Sequence, residues 1–131
     1  MARVPPRPGT DPLPLRGVQA SFSYALSGLR FAWRSQRNFR LEVYIAALAL
    51  ALALWLQVNL VEVLLLIALV LGLELGNTAL EAVVDLASPG FHPLAKAAKD
   101  VAAAGVLVVS LIAVLIGIIL FLPRLVRVLG L

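Results

Sequence analysis

The 131-residue chain contains no cysteine, which excludes a disulfide framework, a thiolate metal site and a cysteine nucleophile. Charge is scarce as well: charged residues make up 14% and apolar residues 62% of the chain, against about 25% and about 45 to 50% in an ordinary soluble domain. That balance argues against a soluble globular protein. Neither a Gly-x-x-x-x-Gly-Lys phosphate loop nor a Gly-x-Gly-x-x-Gly turn occurs, so any nucleotide site must be built another way. The N-terminus has no continuous apolar core, because Pro5, Pro6, Pro8, Pro12 and Pro14 interrupt it. It therefore does not read as a secretory signal, and residues 1–17 are expected to form a disordered, proline-rich tail.

The formal net charge is +4, but its distribution speaks for a membrane rather than nucleic acid. Seven of the nine arginines (Arg3, Arg7, Arg16, Arg30, Arg34, Arg37 and Arg40) precede a long uncharged run, as at the cytoplasmic end of a membrane protein. No charge lies between Glu42 and Glu62, or between Asp100 and Arg124, and each gap meets the roughly 20 residues needed to cross a bilayer.

The sequence predicts an all-α membrane protein, with one domain over residues 18–131. Val18, Phe22, Leu26, Leu29 and Trp33 recur at helical spacing with Arg30, Arg34 and Arg37 along one edge, which predicts an amphipathic helix over 18–40 lying on the membrane surface. Three spans are expected at about 41–56, 61–86 and 95–122. Trp55 suits an interfacial belt, Ser88, Pro89 and Gly90 stop the second span, and Pro123 is expected to end the third. The balance of basic residues puts the N-terminus and the Ser88–Asp100 loop in the cytoplasm, at the inner membrane. Arg124 and Arg127 oppose this and are outnumbered. Gly72-x-x-x-Gly76 and the Ala113/Gly117 pair predict close helix packing.

The second span carries Glu74, Asn77, Glu81 and Asp85. At about 100° per residue, Glu81 and Asp85 each fall some 20° from Glu74, and Asn77 about 60° away, so the four share one face. A carboxylate at the bilayer centre costs at least about 2.5 kcal/mol, so this face must meet protein, water or a cation. An ionic network with Lys96, Lys99 and the surface-helix arginines is the purely structural reading. Lys96, Lys99 and Asp100 project from one side of the third span, and lysines beside carboxylates suit a phosphate ligand bridged by magnesium. His92 reads as a loop histidine.

The run Leu73-Glu-Leu-Gly-Asn-Thr-Ala-Leu-Glu-Ala-Val-Val-Asp85, followed by His92-Pro-Leu-Ala-Lys-Ala-Ala-Lys-Asp100, closely resembles the prokaryotic diacylglycerol kinase and undecaprenol kinase family. The resemblance implies a homotrimer transferring the γ-phosphoryl group of Mg-ATP to a lipid alcohol near the cytoplasmic face, with active sites between subunits. It implies that Glu74 is the general base and, with Arg30, meets the acceptor lipid. Glu81 is implied as metal ligand, Asn77 and Asp85 as parts of the same polar wall, and Tyr24, Gln36, Glu81, His92, Lys99 and Asp100 as ATP contacts. Two positions depart from the family pattern. Gln36 stands where a second metal-binding glutamate is usual, leaving an amide oxygen as the metal ligand there, and Gly17, beside Arg16, stands where an arginine is expected. The His-Pro-Leu-Ala-Lys-Ala-Ala-Lys-Asp run and Phe121-Leu-Pro-Arg124 look more like the undecaprenol branch. A small ion or proton conductor built on Glu74, Glu81 and Asp85, or a catalytically silent scaffold, are the rival readings.

Overall fold

The structure, a computed structural model, describes residues 15–130, and side chains from Gly17 onward. The expected tail lies outside the described residues except for Leu15, Arg16 and Gly17, which are helical. Four helices follow one another with no strand among the described residues: α1 (Leu15–Ser35), α2 (Arg37–Leu56), α3 (Leu60–Ala87) and α4 (Pro93–Leu129). α1 is one unit, and Gln36 onward forms another.

In α1 the apolar stripe is exposed, with Val18 at 61% and Phe22 at 67%, as suits a helix lying in a membrane interface. Its serines are satisfied locally: the hydroxyls of Ser21, Ser27 and Ser35 donate to the carbonyls of Gly17, Ser23 and Phe31 one turn back, so no polar partner outside the helix is required.

The second unit is a bundle of α2, α3 and α4, all three long and apolar enough to span a membrane. They are apolar nearly all round, with exposed Leu48, Leu54, Leu65, Leu69, Leu111 and Ile119, the surface expected where hydrocarbon is the solvent. The best-buried apolar cluster, Ala53, Leu56, Val58 and Val63, sits at the α2–α3 turn. Gln57 closes α2 in the left-handed region (φ 53°, ψ 43°), and Asn59 caps α3, its Oδ1 accepting from Val61 N–H at 3.1 Å while its Nδ2 donates to Glu62 at 2.9 Å. Val58 and Val63 flank that cap as a hydrophobic staple, fixing the angle at which α3 enters.

Two helix limits differ from the sequence expectation. The first helix does not run to Arg40: Gln36 is extended (φ −107°, ψ 114°), so α2 starts at Arg37. No proline or glycine lies between Phe31 and Arg40 to signal that break; its cause is tertiary, because Gln36 is held by a side chain of α3. The last helix does not stop at Pro123 but continues through it to Leu129, where Gly130 (φ 70°) caps it. Proline removes one helical hydrogen bond, a loss that membrane helices tolerate. The helix pairs predicted from small residues are not formed inside the chain: a Cβ built at Gly72 or Gly76 would meet nothing within 4 Å, and one at Gly117 only Phe121 of its own helix.

Candidate functional site

The polar residues of α3 gather at its C-terminal end, and their partners come from both neighbouring helices. At the extended Gln36 the side chain reaches α3, and its Nε2 donates to Glu81 Oε2 at 3.0 Å. From one turn earlier on α3, Asn77 Nδ2 donates to Glu81 Oε1 at 3.3 Å. Both Glu81 oxygens are therefore held by neutral amides, while Asn77 Oδ1 is buried without a hydrogen-bond partner.

Four residues beyond Glu81, Asp85 points to α4, where Lys99 Nζ donates to its Oδ1 at 2.9 Å. Lys96 pairs with Asp100 along the same face of α4. These groups surround a cavity of about 430 Å³ at the α3–α4 turn, lined by Asp85, Ser88, Gly90, His92, Lys96 and Asp100 among others, within the roughly 300–1,000 Å³ of small-molecule sites. His92 is the N-cap of α4, its Nδ1 accepting from Leu94 N–H at 3.2 Å, and Pro93 occupies the first turn, where its missing N–H costs nothing. The positive end of the 37-residue α4 dipole thus opens on this cavity, adding to the two lysines an attraction for anions.

Asp85 and Asp100 pair with lysines, as the ionic-network reading expects, while both Glu81 oxygens are held by amides. Glu74 lies two turns deeper on α3 and is 3% exposed. Seven residues apart on the continuous helix α3, Glu74 and Glu81 fall on one face.

Sequence reasoning missed Glu42. It marked the edge of an uncharged run, yet its Oε2 is buried with no hydrogen-bond partner. Glu42 also lines an apolar groove of about 400 Å³ between α2, α3 and α4, with Ile45, Ile67, Val70, Ala113 and Phe121. The signal in the sequence was the spacing from Phe39, a buried residue of α2: three positions on, Glu42 belongs to the same inward face. Tyr24 and Arg30 are exposed on α1, six residues and so about 120° apart around that helix, and do not belong to the bundle.

A polar, ligand-sized site at one end of three membrane-spanning helices defines a small integral membrane protein whose chemistry sits where the spans meet water. Residues 23–121 match the family described as "Prokaryotic diacylglycerol kinase". The chain is 47% identical over 109 residues to a diacylglycerol kinase of Synechocystis sp., a match covering 80% of this chain and 62% of that protein, somewhat under two thirds of its length. It is 41% identical over 108 residues to an undecaprenol kinase of Bacillus subtilis, covering 80% of this chain and 88% of the relative. Against a diacylglycerol kinase of Escherichia coli it is 40% identical over 95 residues, 70% of this chain and 78% of the relative. The chain belongs to the prokaryotic diacylglycerol kinase family.

Among the described residues, no three His, Cys, Asp or Glu side chains form a ready-made cation cage. The Glu81 cluster nevertheless fits magnesium, which takes one or two carboxylates and completes its shell with phosphate and water. Turning the amides of Gln36 and Asn77 about their terminal bonds would present their oxygens in place of their NH₂ groups, and Asn77 Oδ1 is already an acceptor in search of a partner.

Proposed function

We propose that the chain is a lipid kinase that transfers the γ-phosphoryl group of ATP to the hydroxyl of a membrane lipid alcohol, undecaprenol first and diacylglycerol next. The observation that carries the reading is Glu74, buried on α3 two turns inward of the amide-held Glu81, in a bundle whose apolar groove is lined by a further carboxylate, Glu42. The polyphosphate occupies the cavity at the α3–α4 turn, with Lys99 and Lys96 as its cationic contacts, Asp100 and His92 at its wall, and the α4 N-terminus behind it. The family resemblance also assigns Tyr24 to the nucleotide and Arg30 to the acceptor headgroup. The acceptor chain lies along the apolar groove, and its hydroxyl reaches Glu74, with Glu42 Oε2 as a second acceptor that orients it.

Glu74 takes the hydroxyl proton, the freed oxygen attacks the γ-phosphorus in line, and the bond from that phosphorus to the β–γ bridging oxygen breaks, releasing ADP. Phosphoryl transfer asks for positioning and charge neutralisation more than for covalent chemistry. Glu81 and Gln36 would hold a magnesium ion, which would supply part of that neutralisation. The site faces the cytoplasm at the inner membrane, with the N-terminus on the same side. The open Gly72-x-x-x-Gly76 face of α3 supports assembly with further copies, a homotrimer with sites between subunits, since small residues in spans let helices approach closely. A proton conductor fits less well: Glu62 lies at the opposite end of α3, hydrogen-bonded to Asn59, with apolar residues between.

The test is purified protein in detergent with Mg-ATP and a panel of lipid alcohols. Phosphorylation of undecaprenol above diacylglycerol is the expected result. No phosphorylated lipid from any alcohol would overturn the reading.

A further inference from the structure

We infer that Gln36 makes the cation site nucleotide-dependent: the Glu81 cluster takes a divalent ion only together with a nucleotide's polyphosphate, not on its own. This rests on the kinase reading and specifies how its ligands assemble. Glu81 brings one negative charge, and both its oxygens already accept hydrogen bonds from uncharged amides, Gln36 at 3.0 Å and Asn77 at 3.3 Å. The next carboxylate outward, Asp85, is engaged by Lys99 at 2.9 Å. The next inward, Glu74, lies two helical turns, about 10 Å, along α3. Among the described residues of one chain, then, no second unengaged carboxylate stands beside Glu81, and no three His, Cys, Asp or Glu side chains form a cage.

A divalent ion bound to one carboxylate leaves a net positive charge in a part-buried place, where uncompensated charge is costly. It also requires both amides to give up their hydrogen bonds to Glu81. A polyphosphate in the neighbouring cavity supplies the missing negative charge. The buried, partnerless Asn77 Oδ1 then gains a partner when its amide turns. The free protein thus holds Glu81 ordered but closed to cations, and the nucleotide opens it. Linkage makes the effect reciprocal: the ion must raise nucleotide affinity by the same factor as the nucleotide raises ion affinity.

The experiment uses the full chain in detergent micelles with Mn²⁺ as probe, measuring retained metal by equilibrium dialysis and its spin-resonance spectrum. Without nucleotide, the wild type should retain no Mn²⁺ above the background set by Glu81→Gln. Gln36→Glu should bind the ion alone at concentrations about tenfold or more lower, a coupling of ordinary size. A non-hydrolysable ATP analogue should bring both proteins to retain the ion. Nucleotide-free binding by the wild type equal to that of Gln36→Glu, or no gain in Gln36→Glu, overturns the inference. In the wild type alone, a fluorescent ATP analogue should bind about tenfold or more tighter with Mn²⁺ than with chelator; equal affinity overturns the inference even if Gln36→Glu fails to fold. Retention by neither protein with the analogue present would instead overturn the kinase reading itself.

Discussion

Lys99 Nζ lies 2.9 Å from Asp85 Oδ1, joining α4 to α3 across the turn that carries His92. The pair is part exposed, with side chains at 35% and 64%, so it contributes at most about 1 kcal/mol to stability. Its placement matters more than its strength, because it holds a cation at the rim of the cavity assigned to the polyphosphate.

Lys99→Met should therefore raise KM for ATP by about tenfold or more, the worth of a hydrogen bond to a charged group, while shifting unfolding free energy by less than about 1 kcal/mol. Steady-state kinetics and thermal unfolding in the same detergent give both numbers. A large loss of stability with unchanged KM would make the lysine structural.

Glu74→Gln should reduce kcat by about a hundredfold or more, the usual contribution of a general base, and leave nucleotide affinity within about threefold. Kinase assay and binding of a fluorescent ATP analogue separate the two effects. Loss of ATP binding with residual turnover would assign the carboxylate to the wrong substrate.

Glu42→Gln keeps the shape of the side chain and replaces a carboxylate whose Oε2 is buried without a partner. It should raise KM for the lipid alcohol several-fold without changing KM for ATP, because the groove it lines is apolar and faces the acceptor. An effect on ATP alone would contradict the groove assignment.

Gln57 is the one non-glycine residue with positive φ among the described residues. Gln57→Gly should raise stability by about 0.5 kcal/mol by relieving the left-handed conformation, whereas Gln57→Val should lower it by about 1 kcal/mol or more, since a branched Cβ is least tolerated there. Thermal unfolding measures both, and kinase activity should not change.

Much of this was legible in the sequence because bilayer length and helical period act locally. The two uncharged gaps located the first and third spans, and the 100° rotation put Glu74 and Glu81 on one face of the continuous helix between them. Three features were not legible, each depending on what a residue meets across the fold. Gln36 breaks a helix with no proline or glycine because Glu81 holds its amide. Glu42 looked like a boundary marker because the groove it lines forms only when α2, α3 and α4 pack together. Pro123 looked like a stop because the rule for soluble helices was applied to one inside a bilayer.

At 37 residues α4 is about 55 Å long, while a hydrocarbon layer measures about 30 Å. The helix overhangs at both ends, with Lys96 and Lys99 on one overhang and Arg124 and Arg127 on the other. In a thicker or thinner membrane it must tilt or slide to keep both sets of cations at the headgroups.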